Sequence, residues 1–526
     1  MMEMAEFALE SYRSTLEKIL PALQKKSKKS YIGAAITLIV LHRIYSYFKV
    51  PKRFRHLPKL SYFPSAKSIF NNEPIYDRYK RLVFPVIKQN NGIYVSKISF
   101  DWTVYIANPV AAKHVLLKAD LYPKSHDFLK MLGSNSPVVQ FLGYDSVGIT
   151  NGHVWKNQRK LMNPAFHRSM PINTMSTVIP DLFSVIEKEN GAIAVPLVMR
   201  NFTLDVLGLT VFGFDFKALK GDPDEWTKTF TLANEGLFDP ILNIFGPFSF
   251  VLTAIFPKRR KQMKAVAKLN GKLEQLIYQK RMEIENGAYS NTPENEKDLV
   301  ALMLEAEKRG EGLTNDLELR HNIAGFFLAG HDTTANALSF CFYNLAKNKH
   351  VQNKLRQEII SVLGDDPKDV VPTLDQLKEM PYLNLVLKEN LRLNGPADNI
   401  LPRVAAKDMV VDGTFIPKGA TVNIDIYGIH HNPKFWNNPD DFIPERLDGN
   451  GEQDSHDGLT WLPFGNGARQ CLGMNFSLTE QRLLLVMMIR KYEIDVPKDS
   501  IHYERVIFGS ETTPPNSLEL IFKKRY

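Results

Sequence analysis

Only two cysteines occur in the chain, and one of them, Cys471, lies near the end of the run W-L-P-F-G-N-G-A-R-Q-C-L-G from Trp461 to Gly473. A lone cysteine is ordinarily a small buried hydrophobe. The neighbours of this one argue for chemistry. Gly465 and Gly467 permit the backbone turns by which a loop comes close to a flat ligand, and Gly473 removes a side chain just beyond the sulfur. Arg469, two residues before the cysteine, offers a permanently charged fork suited to a carboxylate. Phe464 can shield a metal-bound sulfur from water. A thiolate, a cation for a carboxylate, an apolar shield and a close-approach loop are the parts that a thiolate-ligated haem requires.

Three further groups have spacings that could serve such a site. Trp155 and Arg159, in G-H-V-W-K-N-Q-R, are four apart, share one helix face and can reach one ligand together. Lys156 and Lys160 fall on the adjacent stripe, either solvated or able to meet a redox partner. Between about Asn315 and Asn348 the pattern is helical and strongly apolar, long enough at about 1.5 Å per residue to run roughly 50 Å. Inside it lie Gly325 and Gly330, each costing about 1 kcal/mol against alanine, then Asp332, Thr333 and Thr334. A helix built only to pack does not favour these residues. Thr333 can bond back to the carbonyl of Ala329, bending the helix and freeing backbone groups for water. Cys341, between Phe340 and Phe342 on the same helix, reads as core. Glu389 and Arg392, three apart in K-E-N-L-R-L, form a pair that on an exposed helix contributes about 0–1 kcal/mol.

Taken together these runs resemble the cytochrome P450 family, over about residues 51 to 526 and with four motifs in the family's order. Phe464, Gly467, Arg469, Cys471 and Gly473 match its haem-binding signature, and Ala329 to Thr334 match its oxygen-activation motif. Glu389 and Arg392 match its Glu-x-x-Arg, joined by Arg446 of F-I-P-E-R-L. The resemblance implies a mainly α fold with a smaller β-rich region, and haem b with Cys471 as axial thiolate. It implies that Phe464, Gly465, Gly473, Ala329 and Gly330 border the haem, that Trp155, Arg159 and Arg469 serve a propionate, and that Arg403 serves the second. Gly330 is implied to make room for dioxygen, Thr333 to hydrogen-bond the bound oxygen and Asp332 to help relay protons, with His331 a neighbour. Glu389, Arg392 and Arg446 are implied to form a buried network on the proximal side. Asn399, Ile400, Leu401, the turn from Ser510 to Pro515 and part of Ser125 to Val147 are implied to face substrate.

The reaction implied is insertion of one atom of dioxygen into a substrate C–H bond. Electrons are implied to come from NADPH through a separate NADPH-cytochrome P450 reductase, with cytochrome b5 as a further donor, because no strand-to-helix G-x-G-x-x-G occurs here. Two rivals share the cysteine loop. One is a haem-thiolate isomerase or dehydratase that uses no dioxygen, and the other a non-catalytic haem carrier or sensor. Asp332 with Thr333 argues against both.

Composition bounds the rest. Apolar residues at 44% and charged residues at 23% are ordinary for a globular chain, and no Pro/Gly/Ser-rich linker divides it after about residue 65, so one large catalytic unit is expected over 51–526. The formal charge of +9 suits acidic partners or an anionic membrane surface. The lysines and arginines are spread along the chain and match no nucleic-acid motif. Two cysteines supply no disulfide framework, which fits a reducing compartment.

Residues 1–50 read as a membrane anchor. Apolar positions from Ala5 to Leu20 have helical spacing stopped by Pro21, and Lys25, Lys26, Lys28 and Lys29 then precede an apolar run. From Tyr31 to Phe48 that run is about 18 residues, at the short end for a membrane span. A single-pass anchor is the first reading, with an interfacial helix and a cleaved signal peptide as alternatives. The family resemblance implies the endoplasmic reticulum membrane, with the catalytic part cytosolic. The aromatic stretch from Leu237 to Lys261 ends in a basic cluster and is either core or a roof that dips into the membrane. Phe238, Phe245 and Phe248 within it suggest a lipophilic substrate, a steroid, fatty acid or terpenoid, with steroid hydroxylation the narrowest expectation.

Alternation over Ile93 to Phe100 and Trp102 to Ala107 predicts a hairpin of half-buried strands. Leu401 to Asp408 and Asp412 to Val422 read as sheet with turns at Gly413 and at Pro417 to Gly419, and Thr373 with Gln376 predicts a helix cap.

Overall fold

The computed structural model of the chain describes residues 36–40, 42–43, 46, 48–97, 101–167, 170–239, 241–242, 249–293, 297–310, 315–449, 451–509 and 511–526. The expectations for Ala5 to Leu20, for most of Tyr31 to Phe48, and for Phe100, Phe245, Phe248 and Ser510 lie outside these residues. The chain divides between His56 and Leu57 into two compact units, inside the basic, proline-punctuated segment from Pro51 to Pro64. In the first unit, Ile36, Leu38, Ile39 and Val40 are helical and exposed.

The second unit is mainly helical. Its helices that bear on the site are α1 (Pro109–Leu117), α2 (Gly152–His167), α3 (Val195–Leu207), α4 (Trp226–Leu237), α5 (Pro257–Glu285), α6 (Asp316–Gly330), α7 (Asp332–Lys347), α8 (Pro381–Leu393) and α9 (Met474–Lys491). The segment Val195–Phe212 is apolar enough to span a membrane, yet 72% of it is buried, which makes α3 a core helix. The expected cap is present: the Thr373 side chain accepts from Gln376 N–H while the Gln376 side chain accepts from Thr373 N–H. The stretch from Ser125 to Val147, aperiodic in sequence, carries two short helices, Asp127–Leu132 and Pro137–Leu142.

The long helix is broken. Asn315 caps α6 by accepting from Glu318 N–H at 2.8 Å, but regular helix stops at Gly330 and resumes at Asp332. Two carbonyls in this turn are claimed by side chains. Thr333 Oγ1 donates to Ala329 O at 2.7 Å, the back-bond expected from sequence, and His331 Nδ1 contacts Phe327 O at 2.7 Å. Between Glu318 and Ala346 every residue is buried or half-buried except Ala329 and Thr333, which flank the break and are open to solvent-sized space.

Among the described residues, sheet forms three small groups. The expected hairpin of β1 (Ile93–Ser96) and β2 (Thr103–Ile106) is antiparallel, with Tyr94 opposite Tyr105, but its strands are buried on both faces and not half-buried, because the rest of the fold covers the polar positions too. Strands β3 (Ala192–Ala194), β4 (Arg403–Val404), β5 (Met409–Val411), β6 (Thr414–Ile416), β7 (Thr421–Ile424), β8 (Tyr492–Asp495) and β9 (Glu519–Lys524) complete three sheets, ordered β1-β2-β7-β4, β3-β9-β8 and β5-β6. The β5–β6 turn falls at Asp412 and Gly413, both at positive φ.

Buried Asp425 fixes the end of β7. Its carboxylate accepts from Tyr79 Oη at 2.7 Å, Tyr94 Oη at 2.9 Å and Gly428 N–H at 2.7 Å. The neighbouring Ile426 N–H donates to Asp398 O, which orients the loop leading to Arg403. Burial pushes the Asp425 carboxyl up to about 6 despite its three donors. The folded state therefore holds this proton more tightly, and the stabilisation is full below the ordinary carboxylate range and lost as pH rises through about 6. Relative to Asp425→Asn, the wild-type chain should gain up to about 3 kcal/mol as pH falls from about 6 to about 4, read from urea midpoints. Parallel pH dependence in the two proteins would contradict this.

Candidate active site

The cysteine loop is built by short-range bonds. Gly465 N–H donates to Leu462 O at 2.9 Å, Gln470 N–H to Gly467 O at 3.0 Å, and Cys471 N–H to Phe464 O at 3.0 Å. Gly467 sits at φ 72° with the position of its missing Cβ 2.6 Å from Leu116 O, so only glycine lets the loop lie against α1. A Cβ on Gly465 or Gly473 would meet nothing within 4 Å, which marks open space on the cysteine's side of the loop. Phe464 is half-buried and packs edge-on to Trp461. Cys471 is accessible to that space but lies deep in the protein. Burial pushes its thiol up, while the Gly473 N–H and the Arg159 guanidinium pull it down. Helix α9 starts three residues later, presenting its N-terminus near the sulfur.

Around the same space stand four cations. Arg403 is buried, donates to Val115 O at 3.3 Å and leaves its Nε without a partner. Arg469 donates to Thr150 O at 2.8 Å and Asn151 Oδ1 at 2.9 Å, and its guanidinium lies 3.8 Å over the Trp155 ring. Arg159 donates to Gln470 O at 3.2 Å, and Lys124 Nζ to Leu401 O at 3.2 Å. Trp155 and Arg159 do share a helix face, and they use it to hold Arg469 and the cysteine loop. Among the described residues none of the four is hydrogen-bonded to a carboxylate. Burial first, and then mutual repulsion, pushes Arg469 down to about 10 and Lys124 down to about 7; burial alone pushes Arg403 to about 10. An orphaned guanidinium nitrogen, three arginines and a lysine with no carboxylate hydrogen-bonded to them among the described residues, and a glycine-lined space beside a cysteine fit a flat metal-bearing ligand with two carboxylates, as haem is. Lys124 and Asn151 were not legible in sequence; a lysine after Pro123 in an aperiodic stretch carries no signal of its own.

The proximal network is buried and complete. Glu389 accepts from Arg392 Nε at 2.8 Å and Nη2 at 2.9 Å, from Arg446 Nε at 3.0 Å and from Ile443 N–H at 3.1 Å. Arg392 Nη1 also donates to His430 O at 2.6 Å, and His430 Nε2 accepts the N–H of Leu462 at 2.8 Å. Burial and Arg392 hold the His430 imidazole neutral, so its proton sits on Nδ1. The network is thus wired to the cysteine loop through one histidine that sequence reading did not single out.

The oxygen motif meets the cysteine helix directly: Thr334 Oγ1 and Ser477 Oγ are 2.9 Å apart. Gly330 has a packing reason as well, since a Cβ there would lie 2.7 Å from Leu207 Cδ1 of α3.

Two outcomes follow from these charges. Glu389→Ala strands two buried guanidiniums and should cost about 3–5 kcal/mol, with loss of haem on purification; a variant with full haem content and an unchanged urea midpoint would contradict the network's role. When carboxylates enter the cation ring, Lys124 should regain its proton while the Cys471 thiol gives one up to the metal, so at pH 8 the wild-type apoprotein should release about one proton fewer on binding haemin than Lys124→Met does. Titration calorimetry in buffers of different ionisation enthalpy reads that difference. Equal proton release in both proteins would contradict it.

Comparison with known proteins gives the family and the fold. A sequence model of the family Cytochrome P450 matches residues 77–519. The chain is 31% identical over 384 residues to cytochrome P450 3A7 of Homo sapiens, covering 69% of this chain and 73% of that protein. It is 27% identical over 441 residues to cytochrome P450 4A10 of Rattus norvegicus, covering 77% and 82%. Its fold matches the crystal structure of cytochrome P450DA heme domain with a TM-score of 0.72 at 22% identity, over 89% of this chain and 98% of that one. With a family match running from residue 77 to the last strand, the chain belongs to the cytochrome P450 family of haem-thiolate monooxygenases acting on lipophilic substrates.

Proposed function

We propose that this chain is a membrane-anchored hydroxylase of the endoplasmic reticulum, acting on a steroid or similar lipophilic molecule with electrons from NADPH through a separate reductase. The net reaction is RH + O2 + NADPH + H+ giving ROH + H2O + NADP+. The observation that carries it is the Thr334–Ser477 contact, which ties the helix turn that carries Asp332 and Thr333 to the helix that follows Cys471.

Cys471 would hold the haem iron, and Arg159, Arg403, Arg469 and Lys124 its carboxylates. When bound, haem supplies the iron at which dioxygen is reduced, and thiolate ligation favours O–O cleavage. Thr333, exposed to the internal space, holds a proton donor at its hydroxyl. Asp332, half-buried beside it, takes protons from water and passes them inward. Both protons of the cycle leave in the water formed from the second oxygen atom.

Lipophilic access is supported by exposed Phe238, Phe250, Ile255 and Phe256, which precede Lys258, Arg259, Arg260 and Lys261. Exposed Ile36, Leu38, Ile39 and Val40 support the anchor. The formal charge of +9 supports an acidic electron donor, a flavoprotein reductase with cytochrome b5 as a further donor.

With 18O2, NADPH and a purified reductase, the product from a responsive steroid should carry one labelled oxygen. Thr333→Ala should divert electrons to hydrogen peroxide and lower product per NADPH about tenfold or more. Product formed under strict anaerobiosis without reductase would instead identify an isomerase or dehydratase.

A further inference from the structure

One face of α3 reads the break between α6 and α7 residue by residue. Leu207 takes the place of a Cβ on Gly330, Thr203 Oγ1 donates to His331 O at 3.0 Å, and Arg200 Nε lies 3.4 Å from Asp332 Oδ1. Positions 200, 203 and 207 form a single helical stripe, and their partners run in reverse as 332, 331 and 330. Two of these three contacts are explained by packing and by the carbonyl that the break frees. The third puts a charge on the proposed relay acid.

Asp332 Oδ1 is buried with no hydrogen-bond partner, so the oxygen is held by charge. Its other neighbour, His331 Nε2, is 3.8 Å away. The His331 ring is buried against Phe230 and Phe327, with burial pushing its imidazole down, and it brings no positive charge. Arg200 is therefore the cation that faces Asp332 among the described residues. It is also anchored at its far end, where Nη1 donates to Asn516 Oδ1 at 3.0 Å, beside the turn before β9. The side chains of Arg200 and Asp332 are 28% and 22% exposed, so the pair stands between solvent and the buried break.

We propose that Arg200 is a positioning residue for proton delivery, holding the Asp332 carboxylate at the solvent side of the break with Asn516 as its strut. Fixed there, the carboxylate collects protons from water and turns inward to Thr333 from one defined pose. The inference rests on the relay reading of Asp332 and Thr333, and the variants below separate the two.

The test uses holoenzyme with reductase, NADPH and a turned-over substrate, measuring product and hydrogen peroxide per NADPH and the solvent isotope effect on product formation. Arg200→Gln should keep its haem and its substrate-induced spectral shift, yet lose coupling about threefold to fivefold and show a larger solvent isotope effect. Arg200→Lys should restore most of the coupling, and Asn516→Ala should lie between wild type and Arg200→Gln. Wild-type coupling in Arg200→Gln, or equal losses in Arg200→Gln and Arg200→Lys, would overturn the proposal. If Arg200→Gln fails to hold haem, Asn516→Ala decides alone, and wild-type coupling in it overturns the proposal. Asp332→Asn is the control: full coupling there removes the relay reading itself, whereas uncoupling there with a normal Arg200→Gln removes only the role of Arg200.

Discussion

Four cations face one internal space with, among the described residues, no carboxylate hydrogen-bonded to any of them, and a cysteine thiol opens onto the same space. Such an arrangement is unfavourable by itself. Arg403 and Arg469 are driven towards deprotonation, Lys124 reaches neutrality, and the thiol is pushed away from its thiolate by burial. A ligand with two carboxylates and a metal ion reverses each of these penalties at once, because the anions answer the cations and the metal takes the sulfur as thiolate. The protein's charges are arranged for a group that it does not itself supply.

The remaining architecture keeps that space in shape. Glu389 ties α8 to the segment carrying Arg446, and the tie reaches the cysteine loop through Arg392, His430 and Leu462. Since breaking a buried ion pair costs far more than an exposed one, this network acts as a stiff frame, unlike the surface pairs elsewhere on the chain. Helix α3 shapes the break beside which Ala329 and Thr333 are exposed while their neighbours are buried or half-buried. Asp425 performs a similar service for the loop before Arg403, gathering two tyrosine hydroxyls and a helix start onto one carboxylate.

Much of this was legible because it is local. The turn chemistry around Cys471, the Thr333 back-bond, the Thr373 cap and the β1–β2 hairpin each depend on residues within a few positions of one another. What sequence reading missed depends on distant partners. The break at His331 is completed by a hydroxyl 128 positions away, and the packing need for glycine at 330 comes from Leu207 on the same distant helix. Lys124 and Asn151 acquire their roles only when the fold brings Arg469 and Leu401 to them. Trp155 and Arg159 stand on the one helix face that their spacing predicts, and the fold also brings Arg469 and Gln470 to that face from more than 300 positions away.

Thiolate ligation by Cys471 is tested most directly by the optical spectrum of the purified, reduced, carbon-monoxide-treated protein, compared with that of Cys471→Ser. The expected result is the long-wavelength Soret band of a haem-thiolate, lost in the serine variant. An imidazole-type band in the wild-type protein, or the same spectrum in both, would contradict the assignment.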